Sequence, residues 1–173
     1  MKLFLQILLG IITTILVVGF HMAITYIMPY PIDKINVIFA FLITHMLLRR
    51  KGTVVWLSFV MHFLIELYST APFGTILFSG TIATLIIYWL AESVFTNSTV
   101  LVALGLSTIG LIVYRAIYTV FLVASSVVLD TNTGLLQGSI MLVYLWELLF
   151  TSILVGILYM AIEFYKTRKI EFV

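Results

Sequence analysis

Apolar stretches of about 20 residues recur along the whole chain and constrain its fold more than any other feature of the sequence. Of the 173 residues, 63% are hydrophobic and 9% are charged. Soluble domains average about 45–50% apolar and about 25% charged residues. A backbone in lipid must satisfy its own hydrogen bonds, which leaves helices and closed barrels, and no stretch here alternates as a barrel strand does. The sequence therefore predicts an all-α integral membrane protein, folded as a helical bundle.

Turn-forming segments divide the chain into six predicted transmembrane helices within a single domain, residues 1–173. The dividing segments are PYP, RRKG, TAPFG, ESVFTNST and DTNTG, which are rich in residues that favour turns and helix caps. Pro31 suits the first turn of the second helix, where its missing N–H costs nothing. The predicted helices span approximately residues 3–28, 31–48, 53–69, 75–91, 100–129 and 138–165.

The distribution of Lys and Arg predicts how the bundle is oriented. If all six helices cross the membrane, seven positively charged residues fall on one side and Lys34 on the other. Cytoplasmic loops carry an excess of Lys and Arg, so both termini are expected in the cytoplasm. The seven residues are Lys2, Arg49, Arg50, Lys51, Lys166, Arg168 and Lys169.

Several classes of function find no support in the sequence. The net charge of +2 is too small to indicate a nucleic-acid partner, and the absence of cysteine excludes disulfides and thiolate chemistry. No catalytic triad, HExxH motif or glycine-rich phosphate loop is present. His62 and Glu66 have a spacing that suits metal ligation, but no third ligand lies at their level. We therefore expect no enzyme activity, no metal and no cofactor.

Three charges inside apolar helices are the most informative polar residues. At a rise of about 1.5 Å per residue, Glu66, Arg115 and Glu147 all lie roughly 20 Å above the cytoplasmic face. A lone charge in the hydrocarbon costs at least about 2.5–3.5 kcal/mol, and a guanidinium can pair with two carboxylates. We therefore expect Glu66 and Glu147 to clamp Arg115, and His62, one turn before Glu66, to share a proton with that carboxylate.

The pattern of residues leaves the role of this cluster open. The cluster can pin helices 3, 5 and 6 together, form a polar site for a ligand or a proton, or face the helix of a partner protein. A second candidate surface lies on the first helix, where Gly19 and Ala23 form a small-xxx-small pair that permits close helix approach. Such pairs also arise by chance, so this surface is a hypothesis about partner binding.

The junction between helices 3 and 4 resembles that of a known family. IMPYP follows a long first helix, and FLIELYSTAPFGTILFSGTIATLIIYWL follows a short charged helix, a pattern similar to the MreD family of rod shape-determining proteins. The resemblance covers roughly residues 20–95. Five residues of this chain occupy the acidic, small and turn positions of the family's junction, namely Glu66, Ser69, Pro72, Phe73 and Gly74.

The resemblance to MreD implies a function and a location. It implies a non-enzymatic scaffold or regulator of bacterial cell shape, located in the inner membrane as part of the elongasome. Such a protein would bind a bitopic MreC-type partner and act with the peptidoglycan synthases of elongation.

A rival interpretation is the substrate-binding S component of an energy-coupling-factor vitamin transporter. These subunits are also six-helix membrane proteins of about this size. The charge cluster would then line a ligand pocket, and Gly19 and Ala23 would face the coupling subunit. The sequence does not fix the oligomeric state.

Overall fold

The computed structural model describes residues 2–49, 51–95, 99–128 and 138–170. These ranges contain six α-helices, one single-turn 3₁₀ helix at Ile32–Lys34 and no strand. The all-α bundle predicted from the sequence is therefore confirmed. The helices are α1 Lys2–Ile27, α2 Val37–Arg49, α3 Thr53–Glu66, α4 Thr75–Ser93, α5 Val100–Val128 and α6 Gly138–Ile170.

Four of the helices are long and apolar enough to cross a membrane, which makes this a multi-pass membrane protein. The candidate spans are Ile7–Ile27, Thr75–Ser93, Val100–Val127 and Met141–Tyr165. By contrast, α2 has 13 residues and α3 has 14. At about 1.5 Å per residue each is roughly 20 Å long, shorter than a hydrocarbon core of about 30 Å. Six crossings, the cytoplasmic termini and the identity of the membrane stay predictions.

The short helix α2 lies at the centre of the bundle, in contact with each of the other helices. Nine of its 13 residues are buried, which its nearly continuous apolar sequence permits. The long helices α5 and α6 pack on it and on each other, and α3 and α4 form an antiparallel pair. Most α1 side chains are exposed, as expected of a peripheral helix whose surroundings are lipid.

The second helix begins six residues later than predicted, at Val37 instead of Pro31. Pro31 precedes the 3₁₀ turn, in which the Pro29 carbonyl accepts the Ile32 N–H at 3.0 Å. Asn36 then caps α2, because its Oδ1 accepts the Phe39 N–H at 3.0 Å. An Asn side chain can accept a hydrogen bond from a backbone N–H in the first turn of a helix. The ring of Pro31 has no acceptor atom and cannot do so.

The third helix ends at Glu66, three residues earlier than predicted. The chain then turns, and Gly74 adopts a left-handed conformation with φ of 94° immediately before α4. Only glycine adopts this conformation without cost, so Gly74 fixes where α4 begins.

The remaining bounds differ less from the prediction. The fourth helix extends two residues further, to Ser93, and the sixth five residues further, to Ile170. The predicted end of the fifth helix at Leu129 and the turn after it lie outside the described residues, as does Arg50. The same holds for the side chains of Lys2, Lys166, Arg168 and Lys169.

Candidate functional site

A buried ion pair joins α5 to α6. Arg115 donates from Nε to Glu147 Oε2 at 2.5 Å, and its Nη2 contacts the same oxygen. The Glu147 side chain is only 3% exposed. A carboxylate at that depth is costly unless it is paired and hydrogen-bonded, and here it is both. The structure therefore brings together two of the three charges that the depth argument placed at one level.

Asn36 completes this polar centre, and sequence analysis missed it. Its Nδ2 donates to Glu147 Oε1 at 3.1 Å, and its backbone N–H donates to Thr151 Oγ1 at 2.9 Å. Because its Oδ1 also caps α2, one side chain links α2 to α6. The signal was available: an Asn directly before an apolar run is a typical N-cap residue.

The guanidinium of Arg115 is also surrounded by tyrosine rings. Its Cζ lies 4.6 Å from the ring centre of Tyr144, 5.3 Å from that of Tyr114 and 5.5 Å from that of Tyr118. Each distance lies within the roughly 6 Å range of a cation–π interaction, which strengthens when water is excluded. Arg115 is therefore fixed by two kinds of interaction, the ion pair with Glu147 and the cation–π contacts with the tyrosine rings.

Glu66 has a different partner from the one predicted. Its Oε2 accepts the backbone N–H of Leu77 at 2.6 Å, in the first turn of α4. In the described ranges no ion pair joins Glu66 to Arg115. The predicted clamp of two carboxylates is therefore correct for Glu147 and wrong for Glu66. The physical reason is that α3 ends at Glu66, which directs its carboxylate to the unsatisfied N–H groups at the start of α4.

His62 is also engaged away from Glu66. Its Nδ1 lies 2.8 Å from the carbonyl oxygen of Ser58, and because a carbonyl only accepts, Nδ1 carries the proton. The Ser58 hydroxyl lies 2.8 Å from the Thr84 hydroxyl on α4. These bonds lie at the α3–α4 contact, and within the described residues no hydrogen bond joins His62 to Glu66. The predicted sharing of a proton between the two is not observed.

The turn residues singled out in the sequence have separate local roles. The Pro72 carbonyl accepts the Thr75 hydroxyl at 2.7 Å, and Gly74 supplies the left-handed position. Phe73 is 72% exposed and points away from the core. On α1, Gly19 is exposed, and a methyl group added there would meet no atom of the chain within 4 Å.

Two cavities flank the ion pair. A polar cavity of about 300 Å³ lies between α1, the 31–36 segment, α3, α5 and α6. An open apolar groove of about 830 Å³ runs between α5 and α6. Arg115 and Glu147 line both cavities. The other polar and aromatic residues of the first cavity are His21, Thr25, Asp33, Lys34, Asn36, His62, Tyr114 and Tyr118.

The fold and this centre define the class of the protein: a multi-pass α-helical membrane protein with an ion pair beside a polar cavity, in which both oxygens of the buried carboxylate are hydrogen-bonded. Comparison with models of protein families, with curated proteins and with solved structures finds no match. In the described ranges, no three His, Asp or Glu side chains are grouped so as to hold a metal ion.

Proposed function

We propose that this protein is a non-enzymatic membrane scaffold of bacterial cell shape, which binds an MreC-type bitopic partner and acts with the peptidoglycan synthases of elongation. In this proposal it lies in the inner membrane with both termini in the cytoplasm. The observation that carries the proposal is that the MreD-like junction is one structural unit. Glu66 caps α4 through Leu77, and Gly74 sets the start of that helix.

This unit gives the resemblance a physical meaning. An acid at the end of one helix and a glycine before the next are the residue types that the geometry of the junction requires. The resemblance therefore depends on residues with defined structural roles, the cap by Glu66 and the left-handed turn at Gly74, and not on hydropathy alone.

The cellular role can be tested by deletion. Loss of the gene in a rod-shaped host should produce round cells, and the wild-type chain should restore rods. Complementation by Glu66→Ala should be weaker than by Glu66→Gln, because only Gln keeps an acceptor for the Leu77 N–H. Rods that persist after deletion would contradict the proposal.

The candidate partner surface is the face of α1 that carries Gly19 and Ala23. Gly19 leaves open space on this face, which a partner helix can approach closely. Gly10 provides a matched control, since it also has nothing within 4 Å. It lies nine residues earlier, about two and a half turns, and thus on the opposite side of α1. Gly19→Leu should reduce partner co-purification and Gly10→Leu should not; equal effects would reject this surface.

A second candidate function, the S component of a vitamin transporter, is favoured by the polar cavity of about 300 Å³. That volume lies at the lower limit of ligand pockets, about 300–1,000 Å³. A vitamin that co-purifies in stoichiometric amount with the chain would support this function over the first.

A further inference from the structure

Some of the polar side chains that line the polar cavity have hydrogen-bond partners, and others have an atom without one. The cationic and amide side chains of the cavity each have a carboxylate partner: Arg115 and Asn36 donate to Glu147, and Lys34 Nζ lies 2.5 Å from Asp33 Oδ2. Two lining atoms, Asp33 Oδ1 and His21 Nδ1, are buried and have no partner. Buried polar groups in proteins are nearly always satisfied, so these two atoms indicate a missing occupant.

Both free atoms can accept a hydrogen bond. Asp33 Oδ1 belongs to a carboxylate, which only accepts when ionised. His21 Nδ1 accepts a hydrogen bond when the ring proton is on Nε2, and a donor from the occupant would select that tautomer. The occupant must supply donors.

The two unpartnered atoms favour an occupant that donates hydrogen bonds, and a protonated amine donates more strongly to a carboxylate than a neutral group does. Lys34 and Arg115 are each neutralised by an adjacent carboxylate. The buried lining atoms without a partner are a carboxylate oxygen and a ring nitrogen, whereas the rings of Tyr114 and Tyr118 already contact Arg115. A carboxylate ligand could not donate to these two atoms, and it would place a like charge beside Asp33.

We propose that this cavity binds a small molecule that carries a protonated amine, with its N–H groups directed to Asp33 and His21. The volume of about 300 Å³ equals that of about ten water molecules and limits the occupant to a small compound. This inference deepens the second candidate function by naming a ligand class, and it is independent of the scaffold proposal.

Binding can be tested with three probes of similar shape: phenethylamine, 2-phenylethanol and phenylacetate. The full-length chain in lipid nanodiscs is titrated with each probe by isothermal calorimetry. Phenethylamine should show saturable binding, 2-phenylethanol should bind at least tenfold more weakly, and phenylacetate should not bind. Absence of saturable amine binding, which would leave the cavity to water only, or equal binding of the amine and the alcohol overturns the proposal.

Two variants of one ion pair separate a binding role from a structural one. Asp33→Asn keeps the shape but removes the charge, and should weaken phenethylamine binding at least tenfold. Lys34→Gln removes the cation that competes for Asp33, and should raise phenethylamine affinity. Equal losses in both variants would mean that the pair acts only on structure, and would overturn the proposal. Vitamin co-purification is a separate measurement, so amine binding without a co-purified vitamin rejects the second candidate function but not this site.

Discussion

Arg115 binds a single oxygen of Glu147 through Nε and Nη2, and the second carboxylate oxygen is left to accept from Asn36. Both oxygens of a nearly inaccessible carboxylate are therefore satisfied by two elements distant in sequence. This relationship links α2, α5 and α6 through one acid, and we expect it to dominate the stability of the bundle.

Removing Arg115 should be strongly destabilising. Arg115→Leu leaves Glu147 buried without its cation, and breaking a buried pair in this way costs about 3–5 kcal/mol. Thermal unfolding in detergent should show this loss, and Glu66→Gln should cost less because Glu66 has a different partner. The double variant Arg115→Leu with Glu147→Leu should recover part of the loss.

The Asp33–Lys34 pair is a comparison for this prediction, because the Asp33 side chain is 15% exposed whereas that of Glu147 is 3% exposed. Contact with water moves an ion pair towards the about 0–1 kcal/mol of exposed pairs, so Lys34→Leu should lower the unfolding temperature less than Arg115→Leu does. An equal loss in Lys34→Leu and Arg115→Leu would contradict the central role of the buried pair.

The Glu66 cap can be tested by comparing two substitutions. Glu66→Ala removes the acceptor for the Leu77 N–H and should cost about 0.5–2 kcal/mol, as other caps do. Glu66→Gln keeps an acceptor and loses only the charge at the helix terminus, worth about 0.3–1 kcal/mol. Hydrogen exchange at the Leu77 amide should accelerate more in the alanine variant. Unchanged exchange in both variants would show that Glu66 does not cap α4.

Two glycines on long helices should respond to alanine in opposite ways. A methyl group at Gly80 would collide with the ring of His62, whereas one at Gly105 would meet nothing within 4 Å. Overpacking costs about 1–3 kcal/mol, so Gly80→Ala should lower the unfolding temperature. Gly105→Ala should raise it slightly, since Ala is favoured over Gly in a helix by about 0.5–1 kcal/mol.

A rescue variant checks the cause of the Gly80 effect. Combining Gly80→Ala with His62→Ala removes the colliding ring, so the double variant should be more stable than the sum of the two single losses predicts. Purely additive losses would mean that the ring does not cause the effect.

The predicted topology can be tested by cysteine labelling, since the chain contains no native cysteine. A membrane-impermeant maleimide should label Tyr30→Cys, in an exposed position after α1, from outside intact cells. Lys51→Cys, exposed between α2 and α3, should be labelled only after permeabilisation. Labelling of both variants from outside would mean that α2 does not cross, and labelling of Lys51→Cys alone would mean that the orientation is reversed.

The sequence predicted the helices better than their ends. Apolar length gives the number of helices, because each apolar run must bury its backbone in a helix. Apolar length does not reveal side-chain caps, so it places the start of α2 at Pro31, before the Asn36 cap, and extends α3 beyond Glu66.

The candidate site was predicted in part for a related reason. Depth along a helix is readable from residue number, so Arg115 and Glu147 were placed at one level, and they meet. Depth does not tell in which direction a side chain points, and the end of α3 directs Glu66 to α4 instead of to Arg115. The Asn36 contact joins residues 111 positions apart in the chain, and apolar periodicity contains no signal for such a pairing.

The central claim is that this chain acts by holding a protein partner in the membrane. Native mass spectrometry of the full-length chain, extracted with its surrounding lipid in copolymer discs, tests it most directly. We expect a complex of fixed stoichiometry with one bitopic MreC-type protein, reduced by Gly19→Leu and retained in Gly10→Leu. A chain that appears without any protein partner and carries one small molecule per copy would contradict the scaffold function.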